Sequence, residues 1–210
     1  MSEVFDWSVK HLIEVSASDS PTPGGGSVSA LAGSLAVAMV AMVANLTVGK
    51  EKYRDVEAET KTLLAEAYAV IARLENLVAA DIAEFSKFMD TLKLPKDTEA
   101  EKAERTKVMQ AVLISATDTP MEIARTCLSI LQLAQGLAKI GNKGAISDVG
   151  VGAYLAEASL NSALLSVDIN LPMIKDAAYV AKITSEKTAM VAQAAALKQQ
   201  VIEVVQLRLK

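Results

Sequence analysis

Between Asp19 and Lys50 the chain carries no charged residue, and from Val28 to Val48 apolar and small side chains fall on every face of the helix that their period implies. A helix of that kind packs on all sides, so the pattern predicts a central buried helix from about Ser27 to Gly49. Small residues at Ala30, Gly33, Ala36 and Ala38 let neighbouring helices come close. The segment is entered through Pro21-Thr22-Pro23-Gly24-Gly25-Gly26-Ser27. Pro-Thr-Pro keeps the backbone extended, the glycines admit conformations other residues avoid, and Ser27 is placed to cap the helix. A glycine turn running into a helix start offers free N–H groups and the positive end of a dipole, which suit a carboxylate or another oxyanion.

The flanking segments are amphipathic. Phe5, Val9, Leu12 and Ile13 share one face of a short first helix, Phe5 to Val15. From Tyr53 to Leu92 neither proline nor glycine interrupts the helical pattern. About 40 residues make a rod of roughly 60 Å, longer than the roughly 43 Å diameter of a compact monomer of this length. The rod therefore bends or breaks, near Glu75-Asn76, or the molecule is elongated and the excess helix packs against a second subunit, and a homodimer is expected. Along it Ala67, Ile71, Leu74, Val78, Asp81, Phe85, Phe88 and Leu92 form one stripe at alternating spacings of four and three. Asp81 stands in the middle of that seam, where a carboxylate needs a partner or a polar cavity. It is either a functional group or a structural one that holds a helix end or a cation.

Leu94-Pro95 ends the rod, and Asp97 or Thr98 caps the next helix, whose first turns are solvated. Asp118-Thr119-Pro120 reads as a break, with Pro120 in the first turn of a new helix to about Ile140. Gly141 reads as a helix stop, and Ser147 or Asp148 as the cap of the following helix. That helix carries Val151, Leu155, Ala158, Ser162, Leu165 and Ile169 on one stripe, and Asn161, Ser166 and Asn170 lie close to it. After Pro172 a long amphipathic helix, Ala177 to Lys210, exposes Lys182, Glu186, Lys198 and Arg208.

With aromatics at 4%, hydrophobics at 51% and no alternating strand pattern, the 210 residues are expected to form one all-α domain, residues 1–210, a helical bundle of long amphipathic helices around a buried central one. A net charge of -4 with no basic block argues against nucleic acid as a partner. Val28 to Val48 is long enough to span a bilayer, but its Ala, Gly and Ser content with Asn45 and Thr47 favours a bundle core over a membrane. The N-terminus lacks the apolar core of a secretory signal, and the single cysteine, Cys127, fits a reducing cytosol, so a cytoplasmic location is expected. Cys127 reads as a small core residue and His11, the one histidine, as a surface or packing residue, so catalytic triads and zinc-binding histidine pairs are unavailable in their usual form. No GK[ST] follows the glycine run and no strand precedes it, so it is not a nucleotide-binding loop.

PTPGGGS leading into a small-residue helix that ends MVANLTVGKEKY, then D..EF, then GN...ISD..V, resembles the methenyltetrahydrofolate cyclohydrolase and formiminotetrahydrofolate cyclodeaminase family over essentially the whole chain. The resemblance implies an all-helical bundle that dimerises. It marks Gly24, Gly25, Gly26 and Ser27 in the glycine turn, Asn45, Thr47 and Lys50 at the end of the central helix, Asp81, Asn142, Asp148 and Asn170. Where related sequences show an NVxxN-like segment, this chain has Ser166-Val167-Asp168-Ile169-Asn170.

The implied substrate is a tetrahydrofolate derivative, and the implied reaction is hydrolysis of the methenyl bridge of 5,10-methenyltetrahydrofolate to 10-formyltetrahydrofolate. Water must attack the bridging carbon, lose a proton, and the leaving ring nitrogen must gain one; no metal and no cofactor beyond the folate is required. Asp81 or Asp148 is expected to be the base, with the other orienting the pterin. Lys50, with Lys143 second, is expected to meet the glutamate tail, although a lysine at a helix C-terminus also complements the dipole. The alternatives are a cyclodeaminase that releases ammonia from the formimino compound, and a non-catalytic folate-binding helical dimer.

Overall fold

The computed structural model describes residues 3–210. Among them the chain forms six helices and no strand: α1 (Val9–Ser16), α2 (Gly25–Thr47), α3 (Glu57–Leu92), α4 (Glu99–Ile140), α5 (Ile146–Asn170) and α6 (Ala177–Leu209). The fold is the expected all-α bundle, and α2 is its axis, packed against α3, α4 and α5.

Small side chains allow that packing. A Cβ on Gly33 would stand 3.0 Å from the sulfur of Cys127 in α4, and one on Gly152 would stand 2.8 Å from the carbonyl oxygen of Ala36, so α5 rides directly on the α2 backbone. Ala30, Ala36, Val37 and Val43 are fully buried. Although α2 is long and apolar enough to cross a membrane, 56% of its most apolar stretch is buried inside the bundle. Cys127 sits in this core, and burial pushes its thiol up to about 12.

The rod expected from Tyr53 begins later. Residues Glu51–Val56 form a 3-10 segment with a non-helical Tyr53, and α3 then runs unbroken through Glu75-Asn76. The break expected at Pro120 is absent: α4 is one helix of 42 residues, on the order of 60 Å, with Pro120 inside it. A proline has no N–H for the carbonyl four residues back, and here that carbonyl, Ala116, accepts from Asn170 Nδ2 at 3.1 Å instead. The helix survives because another helix supplies the missing donor. The bundle is correspondingly elongated.

Three other expectations are corrected. In α1, Val9 and Ile13 are exposed and no residue is buried, while His11 rests edge-on against Trp7. Of the four side chains expected on the exposed side of α6, only Lys182 stands free in solvent: Glu186 takes a two-pronged contact from Arg125, Lys198 pairs with Glu157, and Arg208 donates to the carbonyls of Ala138 and Gly141 at the end of α4. Neither Ser147 nor Asp148 caps α5, whose N-cap is Ala145 without a side-chain bond.

The stripe read on α5 faces outward. Val151, Leu165 and Ile169 are 45%, 69% and 70% exposed, and the core face is Val149, Ala153, Ala156, Leu160, Ala163 and Val167. A helix apolar all round gives its period no way to tell inside from outside. On the neighbouring α2, Val28, Leu35 and Leu46 are likewise exposed, with Ala32, Met39 and Met42 partly so. The two helices pack against each other, with Gly152 against Ala36 and Met39, and each carries an exposed apolar stripe.

Candidate active site

α2 starts at Gly25, and its N-cap, Gly24, has no side chain with which to cap it. The free helix start is met from α3 by Asp81. Ser27 Oγ donates to Asp81 Oδ2 at 2.6 Å, and the Ser27 backbone N–H also bonds the carboxylate. Ser27 is thus not the cap expected from sequence but the donor that holds one. Gly26 makes the approach possible, since a Cβ there would lie 2.3 Å from Asp81 Oδ1.

The α3 stripe is buried through Ala67, Leu74 and Val78 and then emerges: Asp81, Phe85 and Phe88 stand half-exposed on the wall of a cleft of about 310 Å³. The opposite side is built from the glycine turn, Ala116, Asn170 and Met173. Burial pushes the Asp81 carboxyl above the ordinary carboxylate range, and its bonds from Ser27 only partly offset this. Among the described residues no cation pairs with it. Glu84, one turn further along α3, also lines the cleft. Burial acts to raise it too, but hydrogen bonds from Lys87 at 2.7 Å and Ser115 at 2.6 Å, with the Lys87 charge, hold it below its usual value. Two carboxylates with opposed shifts therefore share one wall, an arrangement that can divide acid, base and charge-stabilising roles.

Asn170 is fixed by its bond to Ala116, which leaves its Oδ1 without a partner among the described residues, at the cleft wall. That carbonyl is an acceptor for a ligand N–H. The same residues can bind a flat polar ring with N–H donors, between Phe85 and Phe88 on one side and the glycine turn on the other.

The remaining expected site residues lie at the other end of α2. Thr47 Oγ1 accepts from the Asn142 N–H at 2.8 Å, and Asn142 Nδ2 donates to the Leu46 carbonyl at 2.8 Å, so this pair ties the α4–α5 joint to the α2 C-terminus. Asn45 donates to Tyr68, the Lys143 N–H to the Tyr53 hydroxyl, and the Lys50 side chain is exposed. Asp148 is in the first turn of α5. Because α5 runs antiparallel to α2, with Gly152 against Ala36 and Asn142 on Leu46, Asp148 lies roughly 25 Å along α2 from Asp81. Within one chain the two aspartates do not meet. Glu84 went unassigned in the sequence although the D..EF motif contains it, and its three-residue offset from Asp81 puts it on the same face. Ser115 carried no signal, because the helix was expected to end just beyond it. Among the described residues no cluster of three side chains could hold a metal ion.

A sequence model described as formiminotransferase-cyclodeaminase matches residues 8–189. The chain belongs to this family. Within the family it is 37% identical over 198 residues to a methenyltetrahydrofolate cyclohydrolase of Methylorubrum extorquens, covering 94% of this chain and 95% of that protein. It is 32% identical over 177 residues to the formimidoyltransferase-cyclodeaminase of Sus scrofa, covering 84% of this chain and 33% of that one, so it spans about a third of that relative's length. The crystal structure of formiminotetrahydrofolate cyclodeaminase from Thermotoga maritima superposes with a TM-score of 0.87 at 30% identity, over 97% of this chain and 98% of that one.

Proposed function

We propose that the protein hydrolyses 5,10-methenyltetrahydrofolate to 10-formyltetrahydrofolate, with Asp81 as the general base. The observation that carries this is a half-buried carboxylate without a counter-ion among the described residues, at the wall of a cleft that Phe85 and Phe88 make largely apolar. The substrate's methenyl bridge is an amidinium cation, which supplies the missing positive charge and lowers the Asp81 pKa on binding. The ionised carboxylate then takes a proton from water as the water oxygen bonds to the bridging carbon. Collapse of that adduct breaks the carbon–N5 bond, leaves the formyl group on N10 and puts a proton on N5, and one proton per turnover passes to solvent. Glu84, ionised, stabilises the cation, and Asn170 Oδ1 accepts from a pterin N–H.

A second reading is favoured by the likeness to the Thermotoga maritima cyclodeaminase. The same base would assist attack of the folate's own nitrogen on a formimino carbon, with ammonia leaving. The ultraviolet absorbance of methenyltetrahydrofolate separates the two. Loss above the spontaneous rate, with 10-formyltetrahydrofolate formed, is the expected result. Chromophore gain with ammonia release from the formimino compound would put the second reading first, and binding without turnover would leave a non-catalytic folate protein.

The reaction asks for no cofactor beyond the folate, and we place it in the cytoplasm. We also infer a homodimer that pairs through the exposed apolar side chains of α2 and α5, among them Leu35, Leu165 and Ile169, since an exposed apolar surface of this kind marks an interaction site.

A further inference from the structure

Two turns along α4 from Ala116, on the same face, Met109 lines a second cleft, of about 330 Å³. Four of its lining residues are Lys96, Lys102, Arg105 and Lys175, and none is acidic. That is a concentration of positive charge in a chain whose net charge is -4. Lys102 is engaged by Glu99 at 2.7 Å. Arg105 is fixed without a carboxylate: its Nε and Nη2 donate to the carbonyls of Thr91 and Leu92 in the last turn of α3, at 3.4 and 3.2 Å, which leaves other guanidinium N–H groups free. Lys96 and Lys175 are exposed and form no ion pair among the described residues.

The two clefts share a wall. Gln110 lines the basic one, donates from Nε2 to the Met173 carbonyl at 3.0 Å, and accepts from the Lys175 N–H at 2.7 Å. Met173 in turn lines the Asp81 cleft. From Asp81 to Leu92, α3 rises about 16 Å. An extended folate covers a comparable span from its pterin to its glutamate.

We propose that the basic cleft holds the glutamyl carboxylates of the folate whose one-carbon unit sits at Asp81, with the benzoyl ring passing Phe88 and Met173. This rests on the function proposed above and deepens it. Lys50 and Lys143, the lysines whose sequence positions suggest the tail, stand at the far end of α2, beyond the reach of a folate bound at Asp81 in the same chain. Arg105, held rigid by the α3 carbonyls, presents a planar fork to a carboxylate, and Lys96 and Lys175 supply charge that is screened by salt.

The test is equilibrium binding of tetrahydropteroate, tetrahydrofolate and its triglutamate to the full chain, to Lys96→Glu/Lys175→Glu, to Arg105→Gln and to Lys50→Glu/Lys143→Glu. The wild type is expected to bind the triglutamate at least about tenfold tighter than the pteroate, the size of one charge-assisted contact. The Lys96/Lys175 variant should lose that preference, high salt should weaken it, and pteroate binding should not change. Arg105→Gln should reduce it without charge reversal. An unchanged preference in the Lys96/Lys175 variant, or one that follows the Lys50/Lys143 pair, overturns the proposal. Tail-dependent binding without turnover would remove the reaction and keep the cleft. Turnover without tail preference would do the reverse, and absence of folate binding would remove both.

Discussion

A carboxylate withdrawn from water holds its proton more tightly, and Asp81 is withdrawn at the mouth of a cleft that offers it no cation. As the general base it must be ionised in the free protein, so kcat/KM should rise with pH along a limb above the ordinary carboxylate range. The limb in kcat, set by the complex with a cationic substrate, should lie at lower pH; pH profiles corrected for spontaneous hydrolysis would show the separation. Asp81→Asn should lower turnover by roughly 100 to 10,000-fold. Asp148→Asn, remote in the same chain, should stay within about twofold. The stability effect has the opposite sign to the activity effect. Raising a carboxyl pKa on folding stabilises the fold below the unfolded value of 3.8, and that contribution is lost as pH rises through the folded value. Asparagine keeps an acceptor for Ser27 and never ionises, so at neutral pH the urea midpoint of Asp81→Asn should equal or exceed that of the wild type. The sequence made Asp81 legible through its place in an apolar stripe. It gave no means of measuring the distance to Asp148, since periodicity assigns a face of a helix and says nothing about height in the bundle.

At the scale of elements, the failure at Pro120 is instructive. Proline chemistry argues for a break, and the chain avoids one by a contact across 54 positions, from Asn170 to Ala116. Local sequence cannot display that contact. It predicts a coupling: Asn170→Ala alone should cost about 1–3 kcal/mol by leaving a carbonyl unpaired, while in a Pro120→Ala background the restored N–H takes that carbonyl and the cost should largely vanish. Urea denaturation of the four proteins of this cycle would measure it. Capping was more readable where it is local. Thr98 and Glu101 form the reciprocal box that starts α4, and Gly141 ends it. At α2 and α5 the caps come from elsewhere in the chain or are absent, and the boundaries move accordingly.

For the whole molecule, composition and charge patterning were enough to identify a helical bundle with α2 at its centre. The outward face of α5 was not separable from its inward face, because both are apolar. That ambiguity is itself informative, since a surface of this kind is costly to leave in water. Leu35→Glu combined with Leu165→Glu, both at exposed positions, should leave the helical content unchanged and give a monomer by sedimentation, where the wild type is expected to give a dimer. A monomeric wild type would remove the proposed interface.

Gly26 sets a rule for reading other sequences. The carboxylate of Asp81 occupies the space a side chain at 26 would need, so the two positions are one unit divided between two helices. On the role proposed for Asp81, a related chain with any side chain at position 26 must carry its proton acceptor in another place or have given up the reaction, and that can be read from a gene before any protein is made.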